Sequence, residues 1–387
     1  MRQHDAGGRI LADVLALRPF IAEVRDEIER TRVIPPALLS ALRATGVFHM
    51  WMPEALGGPE LSITAFAEVA EALSYADSAV GWCCGLGAAY TRFAGVLPEA
   101  VARQVFDGNI LAGSLAPTGR GIKVPGGYQV TGQWSWGSGI THSNWIITPF
   151  LTEQDGRPVV TDGKPEMRIG FFPKDRHVEV LDTWHVGGMR GTGSHDFRMD
   201  AVFIPDAFTV VGLDPAPRQP GTLYRIPIAS LYPFVIAATP LGIARAAFDA
   251  FLDLATVKTP VTGSVLLRDK PTVQAMVGRA KARLDSARAF YYAAAQALSE
   301  WAGTNEPLPL ALRTQVRLAT AQIGEVAKQV VRDIYDAGGG SSVYEVCPLE
   351  RHFRDIHAVA QHIGVSHGNF EFAGRALLGL DPGTARF

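Results

Sequence analysis

Residues 351–367, RHFRDIHAVAQHIGVSH, hold four of the ten histidines of a 387-residue chain. They are His352, His357, His362 and His367, each five residues after the last. Imidazole titrates near neutral pH and ligates metals, so such a run invites proton transfer or metal binding. On an α-helix a step of five turns a side chain by about 140°, and consecutive histidines leave on different faces. Helical metal pairs need i,i+3 or i,i+4 spacing, which this run lacks. His352 and His367 come within about 60° of each other but lie about 22 Å apart along a continuous helix, which Gly364 would interrupt. No shared metal is expected. One or two of the four should reach a functional cavity, with the others facing solvent or a subunit.

Two further stretches carry chemistry. GQWSWGSGITHSNW (132–145) concentrates Trp134, Trp136 and Trp145 in a glycine-punctuated segment. Strand alternation puts Trp134, Trp136 and Ser138 on one face. GMRGTGSHD (188–196) is a glycine-rich loop with the hydroxyls of Thr192 and Ser194. By itself such a loop is a weak phosphate signal and equally a hairpin turn.

The elements that must position these residues fall into three textures. Residues 8–107 carry apolar side chains at helical spacing, as in RILADVLALRPFIAEVRDEIERTR. IPPALLSALRATG has prolines at its start and Gly46 at its end, as a short helix should. YADSAVGWCCGLGAAYTRF is apolar on nearly every side and predicts a buried helix. From 110 to 212 the segments GGYQVTGQWSW, NWIITPFL, MRIGFFP, VEVLDTW and FRMDAVFIP are short, β-branched or aromatic, and predict an antiparallel sheet or small barrel. Beyond a proline-rich connection, long helical segments at 228–257, 271–302, 308–337 and 349–379 predict an antiparallel four-helix bundle. The division by texture is 1–109, 110–212 and 213–387.

Composition narrows the class. A formal net charge of −2, with both signs spread throughout, gives no basic patch for nucleic acid or an anionic membrane. The N-terminal residues lack the pattern of a signal peptide, and no uninterrupted apolar run matches a membrane span. Three cysteines, two of them adjacent, suggest no disulfide framework. A reduced, cytoplasmic setting is expected.

Helices, a β domain and a helical bundle, in that order and at this length, resemble the acyl-CoA dehydrogenase superfamily over essentially the whole chain. Within it the flavin-dependent monooxygenase branch is most similar, comprising oxygenase components of two-component aromatic hydroxylases, dibenzothiophene monooxygenase and amino-sugar N-oxygenases. The resemblance rests on GQWSWGSGITHSNW, WHVGGMRGTGSHDFRMDAVFIP (184–205), KTP with LLRDKPTVQ (258–274) and GGGSSVYEVCPLERHFRDIHAVAQH (338–362). The dehydrogenases place a catalytic glutamate a few residues beyond an Arg-Asp pair in the last long helix. Counted from Arg354–Asp355, that position is Ile363, beside His362. An isoleucine cannot accept a proton, so desaturation recedes behind oxygenation.

The resemblance implies a mainly α protein with a central antiparallel β-barrel and a C-terminal four-helix bundle. It implies that Trp136 stacks on a flavin ring and that Ser138 bonds the N5 edge, with Gly137 and Gly139 letting the backbone approach. Reduced flavin would react with O2 at C4a, and the bond from Ser138 would delay loss of hydrogen peroxide. Thr192 and Ser194 lie beside the flavin in this scheme, while Lys258, Ser341 and Ser342 contact ribityl or phosphate groups from a neighbouring subunit. His362, with His357 as runner-up, takes the place of the histidine near C4a and the substrate. Trp82, Cys84, Tyr90 and His357 are the candidates for the substrate pocket. Gly85, Gly87, Ala88 and Ala89 either open room there or let helices pack closely. The implied cofactor is reduced FMN, or FAD, delivered by a separate reductase to a homotetramer that uses O2 on a small molecule. A divergent FAD-dependent acyl-CoA dehydrogenase and a non-catalytic flavin-binding protein are the alternatives.

Overall fold

The computed structural model describes residues 2–384 apart from Asp162, Arg176 and Thr262, with side chains from residue 6 onward. The helices are α1 (Arg2–Ala16), α2 (Arg18–Thr31), α3 (Pro36–Thr45), α4 (Ile63–Ala76), α5 (Ser78–Tyr90), α6 (Glu99–Phe106), α7 (Ile228–Val257), α8 (Pro271–Ala302), α9 (Leu310–Gly338), α10 (Pro348–Val359) and α11 (Gly368–Leu377). The strands are β1 (Leu111–Gly113), β2 (Gly119–Val124), β3 (Gly127–Gly137), β4 (Trp145–Gln154), β5 (Arg157–Pro158), β6 (Val160–Thr161), β7 (Lys164–Pro165), β8 (Met167–Pro173), β9 (Glu179–Leu181), β10 (His195–Pro205) and β11 (Thr209–Val211). They pack into two compact units. One comprises 1–62, 82–186 and 190–228, the other 63–81, 187–189 and 229–387. Helices give way to strands between Phe106 and Leu111 and return beyond Val211, but packing groups 63–81, with α4 and the first turn of α5, with the bundle helices.

In the first unit, α3 starts on Pro36 and ends at Gly46, whose φ of 81° is the left-handed conformation glycine accepts freely. The sheet runs in the order β11-β8-β4-β2-β3-β10-β9, with β1 and β5 added against β4. It is mixed rather than antiparallel. β2 pairs antiparallel with β3 but parallel with β4, because the 138–144 connection carries the chain past β2 to its other edge. Among the described residues the two ends of this order do not pair, so closure into a barrel is not seen. Its core gathers Tyr128, Val130, Trp134, Ile146, Phe150 and Phe197. Trp134 stacks on Phe197 at 5.4 Å and donates its indole N–H to the Pro149 carbonyl. A Cβ at Gly119 would lie 2.1 Å from the Trp134 ring, so that glycine makes its room.

The second unit is the helical bundle. α7 is long and apolar enough to cross a membrane by length and composition alone, but 78% of its most apolar window is buried inside the protein. Gly242 on α7 meets α4 so closely that a Cβ there would lie 2.6 Å from that of Ser74. Glu71 on α4 is buried and accepts from Arg245, from Arg288 Nε at 2.9 Å and from Tyr292 Oη at 2.6 Å. Burying one carboxylate among two guanidiniums and a phenol satisfies the charge that burial would otherwise penalise. The last expected helix is two. α10 stops at Val359, a 3-10 turn covers Ile363–Val365, and α11 begins at Gly368.

Candidate functional site

The end of β3 departs from strand geometry at the tryptophans. Gly137 faces His195 and Trp134 faces Phe197, so three steps on β3 match two on β10. The extra residue is a bulge, and Trp136 sits in it at φ 64° with 67% of its surface exposed. Trp134, in contrast, is fully buried. The alternation that put both on one face therefore fails, because the bulge turns Trp136 out of the sheet. A tryptophan in the left-handed region costs of order 1 kcal/mol or more, and such strain persists where the surroundings hold it. Here Ser138 N–H bonds the Trp136 carbonyl at 2.8 Å, and Gly139 N–H bonds the Thr192 carbonyl at 2.8 Å.

The loop after the bulge brings four side chains together. Trp82 on α5 donates its Nε1–H to Ser138 Oγ at 2.9 Å. Ser138 Oγ lies 2.7 Å from Ser194 Oγ, which lies 2.7 Å from Thr192 Oγ1. All three hydroxyls are buried, with 8%, 3% and 2% of their residues exposed in that order. Sequence reasoning selects Ser138, Thr192, Ser194 and Trp82 separately; the structure joins them into one chain. Gly137 and Gly139 are accounted for by the protein's own packing. A Cβ at Gly137 would lie 3.1 Å from the His195 carbonyl, and Gly139, at φ 74°, leaves no room beside His142 Nε2.

His142 is the residue that sequence reasoning passed over. Burial and the positive charges of Lys174 and Arg43 push its pKa down to about 4, so it is neutral at pH 7. The only sequence signal was its place in the tryptophan-rich segment. Cys84 and Tyr90 lie in the core rather than on an open pocket. Cys84 is fully buried with its thiol pKa pushed up by desolvation, and Tyr90 Oη donates to the Gly113 carbonyl at 3.3 Å. Close packing likewise explains Gly87, where a Cβ would lie 3.1 Å from the Phe48 ring.

In the second unit Lys258 Nζ donates to the Gly338 carbonyl and to Ser341 Oγ at 2.7 Å, joining the two polar stretches chosen from sequence. Ser342 is fully buried and donates to the Tyr335 carbonyl, so its hydroxyl is committed within the fold. Arg354 pairs with Glu350. Asp355 is buried and accepts from Ser78 Oγ and Met189 N–H, each at 2.6 Å.

The two candidate histidines differ in tautomer. His357 on α10 donates from Nδ1 to the Phe353 carbonyl at 2.7 Å, which leaves Nε2 as an acceptor when the ring is neutral. His362 lies beyond α10 as the cap of the 3-10 turn, and its Nδ1 accepts the Gly364 N–H at 3.0 Å. Its neutral form therefore carries hydrogen on Nε2, a donor. Desolvation of the ring pushes its pKa down to about 4, so it is neutral at pH 7. Among the described residues no three His, Cys, Asp or Glu side chains gather as a metal site.

An exposed, strained indole beside a buried, oriented hydroxyl can stack a planar ring and bond its edge. Models of the acyl-CoA dehydrogenase N-terminal and C-terminal domains match residues 16–93 and 234–367. The chain is 30% identical to an indole-3-acetate monooxygenase of Pseudomonas putida, over 96% of this chain and 95% of that one. It is 28% identical to the oxygenase component of an FADH2-dependent resorcinol hydroxylase from a Rhizobium species, over 97% and 95%. Its structure is similar to that of XiaF from a Streptomyces species in complex with FADH2 and glycerol, with a TM-score of 0.90, 27% identity and coverage of 99% and 98%. The chain belongs to the acyl-CoA dehydrogenase family and, within it, to the flavin-dependent monooxygenases. It is an oxidoreductase that uses reduced flavin.

Proposed function

We propose that this protein is the oxygenase partner of a separate flavin reductase and inserts one oxygen atom of O2 into an aromatic or heteroatom-bearing small molecule. The observation that carries this is the exposed indole of Trp136 two residues from the buried, hydrogen-bonded Ser138 hydroxyl. Trp136 offers a stacking face. Ser138 Oγ, fixed by Trp82 and Ser194, offers a polar contact at one ring edge. Reduced flavin supplies the electrons that activate O2. His362, with hydrogen on Nε2, is suited to donate to an anionic oxygen on the substrate or oxidant, whereas His357 presents an acceptor at Nε2 for a phenolic proton. Lys258 and Ser341 are suited to an anionic tail of the cofactor.

FADH2 is favoured over reduced FMN, since two of the relatives above carry FADH2 in their names. A homotetramer in the cytoplasm completes the proposal, supported by the exposed Val343, Tyr344 and Val346 that follow Ser341. The dehydrogenase alternative lacks a base at Ile363. Glu71, the one buried glutamate among the described residues, has its oxygens taken by Arg245, Arg288 and Tyr292. Anaerobic titration with FADH2 and with reduced FMN, followed by tryptophan fluorescence, tests the proposal. Saturable quenching that is lost in Trp136→Ala supports it; no binding of either flavin overturns it.

A further inference from the structure

The hydroxyl chain has a direction that the positions of its heavy atoms leave open. Trp82 Nε1 can only donate, so it fixes one lone pair of Ser138 Oγ. The hydrogens between Ser138 and Ser194, and between Ser194 and Thr192, can each run either way. Only two arrangements leave no buried hydroxyl hydrogen of Ser194 unpaired. In the first, Ser138 donates to Ser194 and Ser194 to Thr192, and Ser138 keeps one free lone pair. In the second, Thr192 donates to Ser194 and Ser194 to Ser138, and Ser138 keeps its own hydrogen free. Rotation of three hydroxyl hydrogens interconverts them without moving a heavy atom.

We infer that Thr192 is a positioning residue that lets Ser138 change from acceptor to donor as the bound flavin changes redox state. Reduced flavin carries hydrogen on N5 and needs an acceptor, while oxidised flavin presents a lone pair at N5 and needs a donor. The inference rests on the proposed contact between Ser138 and that edge. It reaches further, because it assigns a redox-dependent task to a hydroxyl two hydrogen bonds removed from Ser138. Thr192→Val removes the far acceptor. Ser194 must then donate to Ser138 or leave its hydrogen buried and unpaired, so Ser138 is held as a donor.

The test compares dissociation constants for FAD and for dithionite-reduced FAD, the latter measured anaerobically. Thr192→Val should weaken binding of the reduced form by about tenfold, the effect of one unpaired buried hydroxyl, and leave the oxidised form within about twofold. Thr192→Ala carries the same expectation should valine not be accommodated, and Thr192→Ser should restore the wild-type ratio. Ser194→Ala should also weaken the reduced form selectively, because Ser138 then has no acceptor for its own hydrogen while it receives the N5 hydrogen. The double variant Thr192→Val with Ser194→Ala should match Ser194→Ala alone, because Thr192 acts on Ser138 only through Ser194. Equal weakening of both redox forms by Thr192→Val, or no change in either, overturns the inference while leaving the proposed function standing. Wild-type protein that binds neither FAD nor FMN in either state overturns both.

Discussion

Ser138 Oγ stands 2.9 Å from Trp82 Nε1 and 2.7 Å from Ser194 Oγ, two partners each 56 residues away along the chain. Neither contact has a local signal. A helix, a strand bulge and a loop must all be in place before the hydroxyl is oriented, so the fold itself builds the polar contact offered to the cofactor.

Trp136 is held in a conformation that suits glycine. Trp136→Gly should raise the stability of the flavin-free protein by about 1 kcal/mol, because the left-handed strain disappears. The same change should weaken flavin binding by about tenfold through loss of the stacking face. Urea unfolding and flavin titration of one preparation check both halves; lower stability together with unchanged binding would count against the stacking role.

His142 gives a pH signature. Its folded-state pKa of about 4 lies below the unfolded value of 6.5, so the unfolded chain binds more protons between them. Its contribution to stability is intact above pH 6.5 and falls as pH drops through that window, by at most about 1.4 kcal/mol per unit. Urea midpoints near neutral pH and near pH 5 should converge in His142→Gln relative to wild type. An identical pH slope in both proteins would remove His142 as the cause.

Glu71 should matter for stability rather than for turnover. Glu71→Ala leaves Arg245 and Arg288 without their shared carboxylate and Tyr292 without an acceptor. Both guanidiniums are 42% exposed and water can partly replace the lost charge, so we expect a loss of about 2 kcal/mol. Denaturant unfolding measures it. A larger effect on flavin binding than on unfolding would show that the cluster serves the site.

The tautomers of His357 and His362 separate their roles. His362→Gln should lower product formation by about a hundredfold or more if Nε2–H donates during oxygen transfer. His357→Gln should lower it most for substrates that must lose a phenolic proton, with little change for thioether substrates. Product yield per flavin oxidised, measured across pH with both substrate kinds, distinguishes the two. Equal losses for every substrate in both variants would contradict the assignment.

Much of the fold is legible because its signals are local. MRIGFFP spans 167–173, the bounds of β8, since Ile169, Phe171 and Phe172 favour a strand and Pro173 ends it. α8 begins at Pro271 and is followed by Gly303, the proline-first and glycine-last pattern of a helix. The mixed strand order is not legible, because alternation reports a face and says nothing about which edge a strand joins. The bulge at Trp136 is invisible for the same reason: one extra residue keeps the composition and reverses the face. His362 was read on a helix that stops at Val359, because the interruption was expected only at Gly364, beyond it. The histidine spacing argued against a shared metal, and the hydrogen bonds at Phe353 and Gly364 give each ring its own polarity.

The most direct measurement is anaerobic stopped-flow. The purified protein is mixed with FADH2, or with reduced FMN in a parallel run, then with oxygenated buffer, and the flavin spectrum is followed. The expected result is a transient band that precedes the oxidised spectrum and decays about tenfold faster in Ser138→Ala, where Trp82 and Ser194 lose their partner. Immediate return of oxidised free flavin with both cofactors, indistinguishable between wild type and Ser138→Ala, would contradict an oxygenase site built around Ser138.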